Sequence, residues 1–461
     1  MTLIKSISGI RGTIGGPAGK GLTPIDVVKF TSAFAHILKS ESKKDKLVFV
    51  VGRDARISGQ MVESLVVATL SGIGIDVVNT GLSTTPTVEM EVIKRKADGG
   101  LILTASHNPK QWNALKLLNE KGEFISAELG EKVLELAESQ EFDFADVDDL
   151  GSITTYDKSI EDHIDKIIDL ELVDKDLIAK ANFKVVVDGV NSTGGIAIPK
   201  LLKSLGVEHI TELYCEPTGE FPHNPEPLPE NVVDLCNTVV EKNADLGIVV
   251  DPDVDRLALV MENGIMFGEE YTLVAVADYI LQNTPGNTVS NLSSTRALKD
   301  ITEKAGLEYS SAAVGEVNVV EKMREVNAII GGEGNGGVIY PTLHAGRDAL
   351  VGVALLLTYL AKRKIKLSGL RATYPNYFIS KNKIELDTKS NIQEIFSRVR
   401  SKYSNYPILD IDGIKIDFPD GWVQLRTSNT EPIMRVYAES SSMEKAQQLA
   451  DDIKAVVKDV K

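Results

Sequence analysis

Cysteine is nearly missing from this chain: Cys215 and Cys236 are the only two in 461 residues, and no C-x-x-C spacing joins them. Neither a disulfide framework nor a structural zinc site is therefore suggested, which fits a reducing compartment and leads to the expectation of a cytoplasmic protein. Long apolar runs are missing too. The start Met1-Thr2-Leu3-Ile4-Lys5 has no apolar signal core, and the longest apolar stretch, Ala349 to Ala361, is too short for a bilayer and is broken by Gly352 and Thr358. Positive charge is in the minority, with 50 Lys and Arg against 66 Asp and Glu for a net charge of -16. This argues against a general binder of nucleic acid or anionic membrane, and a phosphorylated substrate would need a locally basic site. Three familiar motifs are lacking as well. No G-x-S-x-G elbow surrounds Ser106, no Gly-Lys-Ser/Thr follows the Gly332 to Gly337 loop, and Arg256 occupies the position where an EF-hand needs glycine.

What is present is an ordinary globular composition, 43% hydrophobic and 25% charged, with length for three or four domains. Thr23-Pro24-Ile25-Asp26 reads as a helix start with cap, proline and first-turn acid. Leu47 to Val51, Ile75 to Asn79 and Gly99 to Leu103 read as strands with helical stretches between them, the grammar of a layered α/β domain. The acidic, aperiodic stretch from Glu141 to Asp149 marks a boundary. A second α/β unit begins at Phe183, and a third runs through Val314-Gly315-Glu316 to Ile330. After the helical stretch Asp348 to Lys362 the pattern changes to hairpin-like strands around Asp412-Gly413 and a last helix from about Ser442. The expected divisions are 1–150, 151–250, 251–368 and 369–461.

Four loops carry chemistry. Thr104-Ala105-Ser106-His107-Asn108-Pro109 follows a strand and closes with Asn113 and Lys116, presenting a hydroxyl beside an imidazole and within reach of a cation. A plain turn is the competing reading. Asp251, Asp253 and Asp255 alternate directly after a strand, where three carboxylates so close call for a hard cation, Mg²⁺ rather than zinc. Glu333 and Asn335 stand in a glycine frame suited to hydroxyls on a small polar ligand, or to a backbone turn with no ligand. Arg426-Thr427-Ser428-Asn429-Thr430, with Arg435 beyond, combines a guanidinium, hydroxyls and an amide in a cradle fit for phosphate, or a simple polar turn. Near the start, Ser8-Gly9-Ile10-Arg11-Gly12-Thr13 reads as a glycine-flanked arginine loop that could meet phosphate or be a flexible terminus.

These four loops in this order resemble the α-D-phosphohexomutase family of phosphoglucomutases, phosphomannomutases and phosphoglucosamine mutases. The similarity covers essentially the whole chain and is carried most specifically by Thr104 to Lys116 and Asp251 to Arg256. The resemblance implies three related mixed α/β domains plus a smaller C-terminal α+β domain around a central cleft, each giving one loop. It implies a phosphorylated Ser106, one Mg²⁺ held by Asp251, Asp253, Asp255 and an oxygen of that phosphoserine, and catalytic contributions from His107, Lys116, Arg11 and Arg256. It assigns sugar hydroxyls to Glu333 and Asn335, and the substrate phosphate to Arg426, Ser428, Asn429 and Thr430, with Arg435 nearby. The activity implied interconverts hexose 6-phosphate and hexose 1-phosphate through a 1,6-bisphosphate, in a monomer or homodimer whose partner is a phosphosugar, neither nucleic acid nor membrane.

The chain departs from common family patterns at several points. Gly337 stands where many members have a histidine, leaving His107, His344 or Lys116 as substitutes. Asn335, Asn429, Pro252 and Ala114 replace frequent serine or glycine residues. The Gly-Glu-x-Asn-Gly-Gly loop is similar to archaeal-type phosphoglucosamine mutases, which makes glucosamine phosphate the first expectation, with glucose or mannose phosphate beside it. A noncatalytic sugar-phosphate sensor and a Mg²⁺-dependent phosphatase are the alternatives from other classes.

Overall fold

The computed structural model describes residues 2–6, 9–386, 391–427 and 433–458. The chain forms two compact units, Met1–Thr272 with Gly336–Leu370, and Leu273–Asn335 with Arg371–Lys461.

In the first unit, seven strands make one mixed sheet: β1 Leu3–Ser6, β2 Gly9–Thr13, β3 Val48–Arg53, β4 Asp76–Leu82, β5 Gly99–Leu103, β6 Trp112–Leu118 and β7 Ile153–Thr155. Their order is β1-β2-β6-β5-β3-β4-β7, and β5, β3, β4 and β7 run parallel. Strands buried on both faces read as near-continuous apolar runs, and β3 and β5 do so because helices cover them. Helix Pro24–Glu41 starts where expected, on a reciprocal box between Thr23 and Asp26 with Pro24 in the first turn. It buries Phe30 and Phe34 among Phe49, Val66 and Leu70 in the main core.

A second sheet in the same unit takes β8 Lys184–Asp188, β9 His209–Leu213, β10 Leu246–Val250 and β11 Leu257–Met261 in the order β11-β10-β8-β9. The first sheet thus takes its last strand just beyond residue 150, and the second sheet just beyond residue 250. Two loops at strand ends matter most: the serine loop follows β5, and the aspartates lie between β10 and its antiparallel partner β11. Arg11 is not on a loop as expected; it lies on β2, opposite Ile4 and Ala114. The flanking glycines serve close packing: a Cβ on Gly9 would stand 2.4 Å from the Leu115 carbonyl, and one on Gly12 would stand 2.8 Å from the Leu22 nitrogen.

The second unit contains β12 Asn287–Asn291, β13 Tyr309–Ala312 and β14 Ala328–Glu333, with β12 parallel to both neighbours. Residues 336–370 belong to the first unit and supply β15 Gly337–Ile339 and helix Ala349–Arg363, whose residues from Ala349 to Ala361 are all buried. Core burial, not a membrane, explains that apolar stretch, and no helix among the described residues is long and apolar enough to cross a bilayer. The remainder of the second unit is an antiparallel sheet of β16 Phe378–Glu385, β17 Ile408–Leu409, β18 Ile414–Phe418, β19 Gly421–Thr427 and β20 Ile433–Ser440. Its order is β16-β20-β19-β18-β17. Helices Ile392–Lys402 and Met443–Lys458 bury Ile395, Val399 and Ile453 against Ile414, Leu425 and Val436. The fold is therefore three mixed α/β domains and an antiparallel C-terminal domain.

Candidate active site

The serine loop is held in place by one arginine. Arg56, fully buried, donates from Nη1 to the carbonyls of Pro109 and Trp112, both at 2.9 Å, and from Nη2 to Asn108 O at 2.7 Å and to Ser106 O. Its Nε bonds Asp54 Oδ2 at 3.0 Å, and the same oxygen accepts from Thr104 Oγ1, whose oxygen accepts in turn from the Ser106 backbone N-H. A planar guanidinium suits this task because its N-H groups have fixed directions. Under this constraint Ser106 adopts a left-handed backbone with φ 49, a conformation that non-glycine residues hold only where surroundings enforce it.

Ser106 Oγ then points to Asp251 Oδ2 at 2.6 Å, with His107 Nδ1 at 3.3 Å. The three aspartates are fully buried, and their ligand oxygens lie within 4.8 Å of one another. Lys116, on β6, reaches Asp253 Oδ2 at 2.7 Å and Asp255 Oδ2 at 3.3 Å. Arg347 bonds Asp255 Oδ2 at 2.7 Å, and Thr85 gives both its hydroxyl and its backbone N-H to Asp253. The Arg256 N-H bonds Asp251 Oδ1 at 3.1 Å, and Arg11 reaches Asn108 of the serine loop at 3.0 Å. Ser106, His107, Lys116, Arg11, Arg256 and the aspartates are thus gathered around one serine loop in the first unit.

The electrostatics follow from this packing. Burial raises the Asp251 carboxyl well above the usual range, reinforced by Asp255 and Asp253. Burial would also raise Asp255, but Arg347 and Lys116 hold it well below. The same carboxylates outweigh desolvation at Lys116 and keep its ammonium charged beyond the ordinary lysine range. Burial and the nearby Arg256 and Arg11 push His107 down to about 2, so its ring is neutral at any physiological pH. Two carboxylate oxygens, Asp253 Oδ1 and Asp255 Oδ1, are buried without a hydrogen bond. Buried oxygens on three converging carboxylates fit a divalent cation of the Mg²⁺ type, which takes oxygen ligands.

In the second unit, Glu333 ends β14 and accepts from Asn291 Nδ2 at 2.7 Å and from Gly315 N at 3.2 Å. Asn335 is half-buried beyond it. Gly336, in the first unit, has φ +87 and a position where a Cβ would meet the Leu257 carbonyl at 2.3 Å, so close backbone approach accounts for that glycine. Arg426 and Arg435 face each other in register on β19 and β20. Burial and then Arg435 lower the Arg426 guanidinium, while Asp412 opposes the shift, and its buried Nε has no hydrogen bond. Ser428, Asn429 and Thr430 lie outside the described residues.

Sequence patterns did not single out Arg56, Thr85 or Arg347 for this site. Each acts across a long sequence separation, and the only local signals were a strand-end Asp-x-Arg and an Arg-Asp pair at a helix start.

Comparison with known proteins agrees with this geometry. Domain signatures match in order: phosphoglucomutase/phosphomannomutase alpha/beta/alpha domain I over residues 3–144, domain II over 161–264, domain III over 268–377 and the C-terminal domain over 383–456. A phosphoglucomutase/phosphomannomutase of Thermococcus kodakarensis is 36% identical over 95% of this chain and 96% of its own. A probable phosphoglucosamine mutase of Methanopyrus kandleri is 32% identical over 98% and 97%. A solved family structure from Burkholderia thailandensis superposes with a TM-score of 0.85 at 26% identity, covering 100% of this chain and 98% of that one. Fold and comparisons together define a phosphohexomutase, an enzyme of the isomerase class. The chain belongs to the phosphoglucomutase/phosphomannomutase family.

Proposed function

We propose that the enzyme interconverts hexose 6-phosphate and hexose 1-phosphate through a phosphoserine at Ser106, and that glucosamine phosphate is its substrate. The observation that carries this reading is the Ser106 hydroxyl 2.6 Å from Asp251 within a buried group of three aspartates and one lysine. Transfer begins when the free hydroxyl oxygen of the sugar phosphate attacks the phosphorus of phosphoserine 106. A new P-O bond forms, the bond to Ser106 Oγ breaks, and a hexose 1,6-bisphosphate results. The reverse attack by Ser106 on the other phosphate completes the isomerisation. Such transfer depends on positioning and on charge placed around the moving group.

Arg56 fixes the loop carbonyls, and Lys116 supplies positive charge beside the serine loop. Arg11 and Arg256 add charge on the same side. Asp251, Asp253, Asp255 and a phosphoserine oxygen would hold Mg²⁺, which when bound neutralises charge on the phosphoryl group. Of the residues that could replace the absent loop histidine at Gly337, Lys116 is held protonated, and His344 is buried between Glu89 and Asp348. His107 is left as the neutral ring beside Ser106, and with so little basicity it is assigned to orienting the reacting groups. Glu333 and Asn335 are assigned to sugar hydroxyls, and Arg426, Ser428, Asn429, Thr430 and Arg435 to the phosphate not being transferred.

The Gly-Glu-x-Asn-Gly-Gly loop and the Methanopyrus relative support glucosamine phosphate. The Thermococcus relative supports glucose or mannose phosphate as the second reading. Incubation with labelled sugar 1,6-bisphosphate should place label on the Ser106 peptide. A coupled assay on the three sugar 1-phosphates should show the highest kcat/KM with glucosamine 1-phosphate. Binding without label exchange would make the protein a sensor, inorganic phosphate as main product would make it a phosphatase, and preference for glucose or mannose phosphate would move the substrate assignment.

A further inference from the structure

Behind the aspartates, in the same unit, lies a second buried polar group that the transfer reaction does not use. Helix Ser159–Ile168 contributes His163, the segment before helix Ala349–Arg363 contributes His344 and Asp348, and helix Thr85–Arg95 contributes Glu89. All four are 5% exposed or less. Asp348 divides its carboxylate between two tasks. Oδ1 caps the helix by accepting from the N-H groups of Leu350 at 2.8 Å and Val351 at 3.3 Å, while Oδ2 faces His163 Nε2 at 3.0 Å and His344 Nε2 at 3.4 Å. Those two nitrogens and that oxygen lie within 4.8 Å of one another.

We infer that His163 Nε2, His344 Nε2 and Asp348 Oδ2 form a structural binding site for a borderline divalent cation, Zn²⁺ in the first place. Three features of this chain support it. Two imidazoles with one carboxylate select zinc over Mg²⁺, which prefers oxygen throughout. The far nitrogen of each ring has an oxygen at hand, as zinc-bound histidines require: His163 Nδ1 is 3.0 Å from Thr87 Oγ1, and His344 Nδ1 is 3.3 Å from Glu89 Oε2. That second contact is not aligned as a hydrogen bond in the structure, which leaves His344 Nδ1 without one. Charge balance is the third feature. Burial would lower the His344 ring, but Asp348 and Glu89 outweigh it and raise the ring to about 10, so without a metal a proton there offsets one of the two carboxylates; one divalent ion would cancel both without charging either ring, whose centroids are 6.0 Å apart. A water taken in with the ion would complete four-coordination. The ion would join two segments far apart in the chain, with Glu89 of a third beside His344, and because the group is sealed from solvent it would be taken up as the chain folds.

The test is metal content of the full chain, unfolded and refolded in zinc and then washed with EDTA. Wild type should retain about one equivalent of zinc and gain thermal stability over protein refolded without it. His163→Gln and His344→Gln should each lose that zinc while still requiring Mg²⁺ for turnover. Cobalt refolded into wild type should give the visible bands of a four-coordinate nitrogen and oxygen site, a readout that needs no variant to fold. Wild type without retained zinc, or zinc retained equally by both variants and therefore held by the aspartates, would overturn the inference. Neither result depends on whether Ser106 carries phosphate.

Discussion

Around Ser106, Arg56 holds four carbonyls, Lys116 bridges two aspartates and Thr85 grips a third contact on Asp253. In the second unit, Asn335, Arg426 and Arg435 are only half-buried, and Arg426 keeps a buried Nε without a hydrogen bond. The contrast separates two jobs. A phosphoryl group must be transferred along one line, so the groups assigned to transfer are over-determined by their neighbours. Residues assigned to recognition must accept a substrate that presents either of two phosphates, and a rigid mould for one would reject the other.

Substitutions can break or sharpen that contrast. Ser106→Ala should lower turnover by a factor on the order of 10⁴ or more, while the unfolding free energy stays within ~0.5 kcal/mol of wild type; steady-state rates and urea unfolding would check both, and retained activity would end the phosphoserine assignment. Lys116→Met leaves the aspartates facing one another, so kcat should fall about 10³-fold and stability by about 3–5 kcal/mol, part of it regained when Mg²⁺ is added to the melt. His107→Gln should cost about 10²-fold in kcat. Because the His107 ring lies far below its ordinary 6.5 and is already neutral at pH 6, the acid limb of the pH-rate profile should be the same in variant and wild type. Loss of that limb would show that His107 does titrate there. Arg56→Lys replaces a planar fork with a flexible ammonium and should lower kcat about tenfold with little change in KM. Arg426→Gln should show the other side of the contrast, with KM up about fivefold, kcat nearly unchanged and no shift in melting temperature.

Much of the site was legible because its signals are local. A strand that runs into a polar loop presents its residues at the sheet end, and this located Ser106 and the aspartates without knowledge of the rest of the chain. The helix starts at Thr23 and Asp348 were equally visible, since capping needs only neighbours. Arg11 was misplaced for an instructive reason. Glycines at positions 9 and 12 suggested a turn, yet they are there so that β2 can lie tightly against neighbouring backbone. Arg56 and Arg347 could not be read, because what they hold lies 50 and 92 residues away. The buried group at His163 was hidden for the same reason: its members come from three distant segments.

The aspartates follow a strand of the second sheet, but Lys116, which neutralises two of them, lies on β6 of the first sheet, and Thr85, which grips Asp253, opens a helix that follows β4 of that sheet. The reaction chamber is therefore also a seam between two sheets, fastened by the groups that do the work. Besides Lys116 and Thr85, the Ser106 hydroxyl on Asp251 crosses the same seam, so a cation and a phosphate ester placed there would add to bonds that already join the two layers. If Ser106 carries phosphate as proposed, its loading should be readable as a shift of the first unit's melting curve before any sugar is added.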